Sequence, residues 1–350
     1  MMEKRVILYV VEDVKTAQFR YRVKNIVEVL SDSKKWEARW VLANQLERVD
    51  LKNVSVLVIL RQTGKNKDVL NLMNIAKERG IEVLFDLDDL IFDYSDLPAL
   101  MEGTNSKNIF YWVGYVFGIR KIARRVDGFI TTNKFLVEKL KRTFSKPCAI
   151  IPNSLNKTQV EIAEKCLKDK KHKGFKIGYF SGSPTHKKDL EMIEGQLEKF
   201  LEMHDDVEFL IVGYMEVSKK MQEMVKNNKV KMRGIVEYQE LMKLGAEIDV
   251  NIAPLVINNF TNCKSELKFF EAAAVETVTI ASPTYAFKNA IVDGENGFLA
   301  KPNEWYEKLE FLYKNPKQRE KIARVAKKYA LENYYGEKFL KEVEEAYEFF

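Results

Sequence analysis

The stretch Asn262–Pro283, NCKSELKFFEAAAVETVTIASP, decides how the rest of the chain is read. Lys264, Lys268 and Glu271 are spaced i, i+4 and i+7, so a helix would carry all three on one face. The remainder, Leu267, Phe269, Phe270 and Ala272–Ala274, is apolar, and the strand-like run Thr277–Ala281 follows almost at once. A helix that apolar is buried on most sides, where polar groups need partners. Two lysines near the positive end of a helix suit a diphosphate, and a carboxylate two turns in suits sugar hydroxyls. The plainer reading, an ordinary surface pair between Lys268 and Glu271, would contribute a few tenths of a kcal/mol. The wider chain has to decide between them.

At 350 residues the chain exceeds the usual span of one hydrophobic core. Hydrophobic residues at 46% and charged residues at 31% describe a soluble globular protein, and the net charge of +6 is a mild basic excess. The cysteines Cys148, Cys166 and Cys263 are odd in number, far apart and without metal-ligand spacing, which fits a reduced, cytoplasmic location. Val6–Val11 is too short for a secretory h-region and reads as a first strand. The longest apolar stretch, Ile109–Ile119, falls short of a membrane span. It runs into Arg120, Lys121, Arg124 and Arg125. It reads either as a packed helix with a solvated end, the commoner case, or as a peripheral helix at the inner face of a membrane.

The first half alternates strand candidates (Arg5–Val11, Trp36–Leu42, Val54–Leu60, Ile81–Leu87, Gly128–Thr132, Cys148–Ile151) with helix candidates (Thr16–Leu30, Lys67–Arg79, Lys107–Val126, Lys134–Phe144). The second half repeats the scheme. Its strands are expected at Lys176–Ser181, Val207–Gly213, Val230–Arg233, Val250–Pro254 and Thr277–Ala281. Its helices are expected at Lys187–Leu201, Val217–Lys226, Tyr238–Leu244 and Ser265–Val275, with two or three more from Trp305 onward. Such alternation means βαβ units and parallel sheets. The expected fold class is α/β, two Rossmann-like doubly wound domains facing across a cleft. Residues 1–155 form the first and 156–335 the second. Ligands in such folds bind at the carboxyl ends of strands, near the point where strand order reverses.

Three loops answer that description. After Lys176–Ser181 comes Gly182-Ser183-Pro184-Thr185-His186-Lys187-Lys188. It reads equally as a phosphate-cradling turn or as a plain N-cap. His186 alone is more often structural, and with only His172 and His204 besides it no pair has zinc-ligand spacing. After the fourth strand comes Asp86-Leu87-Asp88-Asp89, which could bind a cation, orient an acceptor hydroxyl, act as a base, or simply cap a solvated loop. Arg20, Arg22 and Arg61 lie in the same half, and a buried arginine there would seek phosphate or carboxylate. The GxGxxG fingerprint is absent after either half's first strand, which argues against dinucleotide oxidoreductases. No basic stripe with interleaved aromatics points to nucleic acid.

Taken together, these segments resemble the retaining glycosyltransferases of the GT-B fold, most closely the large family 4, glycosyl transferases group 1. Glu271-Ala272-Ala273-Ala274 followed by Thr277–Pro283 looks like the second glutamate of the family's E-x7-E helix and its sequel. Asp293-Gly294-Glu295-Asn296-Gly297 looks like the NG turn beyond it. Lys231–Val236, with Arg233, Ile235 and Val236, resembles the loop bordering the base, and Ile151-Pro152-Asn153-Ser154 resembles the hinge. Eight residues before Glu271 stands Cys263, where the pattern has a carboxylate. Lys264-Ser265-x-x-Lys268 looks like a K-S/T-x-x-K variant of the same helix.

The resemblance implies sugar transfer from a UDP- or GDP-linked donor to a glycan, lipid-linked or protein acceptor, as in polysaccharide biosynthesis, with retention and without metal or other cofactor. Lys268, Glu271 and Lys264 would do the central work. Gly182, Ser183, Thr185, His186, Lys187, Arg233, Ile235, Val236, Ser265 and Leu267 would bind the donor, and Arg22, Arg61, Asp88 and Asp89 would face the acceptor. A carboxyl-terminal helix, about 336–350, would cross back onto the first domain. Two alternatives stay open: a non-catalytic nucleotide-sugar-binding or partner-docking protein, motivated by Cys263, and a metal-dependent transferase using Asp86, Asp88 and Asp89.

Overall fold

A computed structural model describes residues 3–104, 106–168, 174–182 and 187–350. The first sheet contains β1 (Arg5–Val11), β2 (Trp36–Leu42), β3 (Val54–Leu60), β4 (Glu82–Asp86), β5 (Gly128–Thr131) and β6 (Cys148–Ile150). Its order is β2-β1-β3-β4-β5-β6, with every pair parallel. The second contains β7 (Phe175–Ser181), β8 (Val207–Gly213), β9 (Val230–Arg233), β10 (Val250–Ala253), β11 (Val278–Ala281) and β12 (Phe298–Leu299). Its order is β12-β11-β10-β7-β8-β9, again parallel throughout. Strands such as Val54–Leu60 and Val250–Ala253 are apolar along nearly their whole length, because helices cover both faces of each sheet. The strand order reverses at β1/β3 and at β7/β10, which puts the loops after these strands at the two crevices where ligands bind such folds.

Helices begin where the sequence supplies caps. Asn66 accepts from the amides of Asp68 and Val69, and Asn133 accepts from Leu136. The helix expected over Thr16–Leu30 is instead Ala17–Phe19, a π-helical turn at Arg20–Lys24, and Asn25–Leu30. That turn sits directly after β1, at the crevice, and π turns inside helices concentrate at functional sites. The helix Lys157–Lys168 was hidden in the charged stretch between the halves, its inner face being only Gln159, Val160 and Ala163.

The domains share their packing. Phe260 and Cys263, from the second half, complete the core beneath β3, β4 and β5. The terminal helix Gly336–Glu348 inserts Phe339, Val343, Ala346 and Tyr347 among Ile7, Tyr9 and Val58 of the first sheet. Tyr347 also hydrogen-bonds Tyr9 through their hydroxyls.

Candidate donor site

A cavity of about 300 Å³ opens between the domains, walled by the loops that follow β1, β4, β7 and β10. From the second domain it receives Gly182, Lys264, Ser265, Leu267, Lys268 and Glu271; from the first, Arg20, Tyr21, Asp88 and Asp89.

The second-domain wall is built on the helix Leu267–Ala274. Phe269, Phe270 and Ala272–Ala274 are buried, Phe270 stacks on Tyr334 at 4.6 Å, and Asn251 Nδ2 pins the Lys268 carbonyl to β10 at 3.0 Å. Packing therefore holds the helix with its front at the cavity. No side chain caps that front, so its first amides are available to a ligand oxygen.

Lys268 follows in the first turn. Its ammonium is shielded from solvent, has no hydrogen-bond partner among the described residues, and lies 4.8 Å from the Tyr179 ring centroid. Burial lowers its pKa to about 8. Ser265 Oγ beside it is likewise buried and unpartnered. A buried ammonium without an anion is costly, and here it adjoins an uncapped helix front. An anion with several oxygens satisfies every one of these groups at once.

One expectation about this helix is corrected. Lys264 does not ride on it: Asn258 starts a separate capped turn, Asn259–Asn262, and the helix resumes only at Leu267. From the connecting bend Lys264 reaches across the cavity to Asp89, at 3.3 Å. Cys263 just before it points away. Its thiol is fully buried in the first domain's core, and burial pushes its pKa far up.

Glu271, one turn after Lys268, accepts from Gln159 Nε2 at 2.9 Å and from the Tyr21 hydroxyl of the opposite domain. Burial raises its carboxyl pKa in spite of these donors. Arg20 donates to the Tyr21 oxygen at 3.3 Å and stacks on Tyr238 at 4.5 Å.

On the first-domain wall, Arg61 holds Asp88 at 3.3 Å and Asp89 at 2.8 Å. Its backbone adopts φ +40°, a left-handed conformation unusual for arginine, at the end of β3. Burial would raise both carboxyls. At Asp89, Lys264 and Arg61 outweigh it and the pKa falls; at Asp88, burial and the neighbouring Asp89 prevail over Arg61 and the pKa rises. The wall therefore carries one firmly ionised carboxylate beside one that protonates more readily.

Other residues expected at the site lie elsewhere. Arg22 is fully buried, paired to Asp86 at 2.9 Å and bonded to the Ile151 carbonyl, so it ties β4 to the hinge and does not face the cavity. Asp86 is bound to Arg22 and the other two carboxylates to Arg61, and among the described residues no three carboxylate, histidine or cysteine side chains are grouped to hold a metal ion. Arg61 stands behind Asp88 and Asp89 and does not line the cavity. Lys187 pairs with Glu216 at 2.6 Å. Arg233, the last residue of β9, and Ile235 and Val236 after it also lie outside the cavity wall, with Ile235 71% exposed. Ser183, Thr185 and His186 lie outside the described residues. The readings missed Tyr21 and Gln159. The position of Tyr21 just after β1 was the one available signal for it.

Two parallel six-stranded domains with an anion-ready helix front between them define the GT-B class of fold. Residues 175–315 match the family model Glycosyl transferases group 1. Among solved structures, the chain resembles sucrose-phosphate synthase from Thermosynechococcus elongatus at 12% identity and TM-score 0.70, covering 99% of this chain and 98% of that one. A glycosyltransferase from Rickettsia africae gives 14% identity and TM-score 0.66 over 99% and 98%. HepE from Anabaena, solved with UDP and glucose, gives 12% identity and TM-score 0.62 over 98% of each chain. No curated protein matches the chain in sequence.

Proposed function

We propose that the chain is a glycosyltransferase that moves a sugar from a nucleoside-diphosphate sugar to a glycan, lipid-linked or protein acceptor, with retention and without a metal. The observation that carries this reading is the shielded, unpartnered ammonium of Lys268 at an uncapped helix front, within a group 1 glycosyltransferase domain. The pyrophosphate rests against Lys268, Ser265 and the Gly182 turn. Charge developing on the leaving diphosphate is stabilised by groups already fixed in place, often the largest catalytic contribution. Glu271 holds the ribose hydroxyls, and Ser183, Thr185 and His186 are assigned to the phosphate loop. Asp88 and Asp89, positioned by Arg61 and Lys264, face the acceptor. The buried thiols of Cys148 and Cys263 suit a reducing cytoplasm.

A panel of UDP- and GDP-linked sugars, assayed in EDTA with the anomeric configuration of the product read by NMR, tests all parts of this reading. An inverted product or a requirement for metal contradicts it. Cys263 favours a second reading, in which the donor is bound but not transferred: a buried thiol stands where relatives carry a carboxylate. Any turnover in the same panel excludes that second reading.

A further inference from the structure

The helix Ile109–Ala123 does more than close the first domain. Its inner face buries Val116, Ile119, Ile122 and Ala123, and Gly118 lets it approach the loop after β3 so closely that a Cβ there would stand 2.9 Å from Thr63. Among the described residues its outer face has no partner. Phe110 is 88% and Phe117 62% exposed, with Ile109, Tyr111 and Val113 also open to solvent. Phe110, Val113, Gly114 and Phe117 recur at i, i+3, i+4 and i+7, forming one continuous apolar stripe. At the helix end the same face passes into Lys121, Arg124 and Arg125, and no acidic side chain occurs between Lys107 and Arg125.

We propose that this face docks on a lipid bilayer with anionic headgroups. An amphipathic helix binds such an interface by burying its apolar stripe among the acyl chains while its cations meet the phosphates. Charge decides between this occupant and a second copy of the chain. A symmetric pairing would set the same basic end against a patch carrying no acidic residue, whereas the bilayer supplies the complementary sign. No helix among the described residues is long and apolar enough to cross a membrane, so the contact is peripheral. The helix also fixes the side of approach. Arg120 Nη1 donates to the Phe92 carbonyl at 2.9 Å, and the Gly118 carbonyl accepts from Gly64 at 2.9 Å. The helix thus packs on the loops after β3 and β4, which carry Arg61, Asp88 and Asp89, and the docked bilayer lies on the first-domain side of the cavity.

Flotation with phosphatidylcholine vesicles, with and without phosphatidylglycerol, tests the docking independently of any transfer activity. The protein is expected to float with the anionic vesicles, remain behind with the neutral ones, and detach as salt rises. Reversing the exposed Arg124 and Arg125 to Glu should weaken binding by at least about tenfold, since each basic side chain near an anionic surface contributes roughly fivefold. The double variant Phe110→Ser, Phe117→Ser should weaken it comparably, and both variants should keep the wild-type melting temperature because they alter only exposed positions. Three results would overturn the proposal: protein left in solution with anionic vesicles, both variants floating like wild type, or sedimentation showing a dimer that the double variant dissociates.

Discussion

The hydroxyl of Tyr21 donates to the carboxylate of Glu271, joining residues 250 positions apart across the interdomain cavity. A buried carboxylate is expensive, and burial indeed raises the pKa of Glu271. Tyr21, Arg20 and Gln159 limit that rise and fix where the carboxylate points. Tyr21→Phe removes one charge-assisted bond and should lower stability by about 1.5–3 kcal/mol. Nucleotide affinity should fall several-fold, because Glu271 loses one of the two donors that orient it. Calorimetric titration with UDP measures the second effect. Unchanged affinity would mean that Glu271 does not contact the ribose.

Asp89 neutralises two cations from different domains, Arg61 at 2.8 Å and Lys264 at 3.3 Å. Asp89→Ala leaves the half-buried Lys264 without its anion and Arg61 with Asp88 alone, which should cost about 1–3 kcal/mol after allowance for their partial exposure. On the proposal that this wall faces the acceptor, turnover should drop while the KM for the donor changes little. A rise in donor KM with turnover intact would move Asp89 to the donor side.

Gly182 directly follows β7, and a Cβ there would meet no described atom within 4 Å. Gly182→Val should therefore leave the apo melting temperature unchanged. It should weaken nucleotide binding by about tenfold or more, since the side chain occupies the space through which backbone amides approach a phosphate. Equal affinity in the variant would place the phosphate elsewhere. Gly213, adjacent at the end of β8, is the opposite case: with φ +102° and a Cβ position 1.8 Å from the Ser181 carbonyl oxygen, it tolerates no side chain.

Much of this architecture was legible in the sequence. Strands such as Val54–Leu60 and Val207–Gly213 are apolar runs between turn residues, and their alternation with helices fixes a parallel sheet. The cavity was legible through Lys268 and Glu271, because polar residues in a run as apolar as FFEAAA need a purpose. What could not be read depends on contacts distant in the chain. Arg22 looks like any cleft arginine until Asp86 closes on it, and Cys263 looks like a site position until its thiol is found in the neighbouring domain's core. Lys264 misled for a local reason: Asn258 caps the start of a separate short turn, Asn259–Asn262, which ends before the main helix begins at Leu267. Tyr21 carries no signal as an isolated tyrosine, and only the π-helical turn presents it to Glu271.

The Lys268 pKa, about 8 against an ordinary 10.5, gives the site a pH signature. The fold disfavours the charged lysine, so a destabilisation fully present below pH 8 is relieved as pH rises from about 8 to 10.5, where the unfolded chain still holds the proton. Nucleotide binding has the opposite dependence, because the diphosphate selects the ammonium. Affinity should fall as pH rises past 8, and near that pH binding should take up a fraction of a proton. Titration in buffers of different ionisation enthalpy measures that uptake, and no uptake would mean that Lys268 stays fully charged without ligand.

The central claim is that the Lys268 ammonium awaits a diphosphate, and its most direct test is calorimetric titration of UDP and GDP into the wild type and Lys268→Met. The account predicts that the wild type binds at least one of them. It also predicts that the variant binds neither while melting no lower than wild type, since methionine fills the same space without an unpaired charge. Binding retained by the variant, or absent from the wild type, would contradict it.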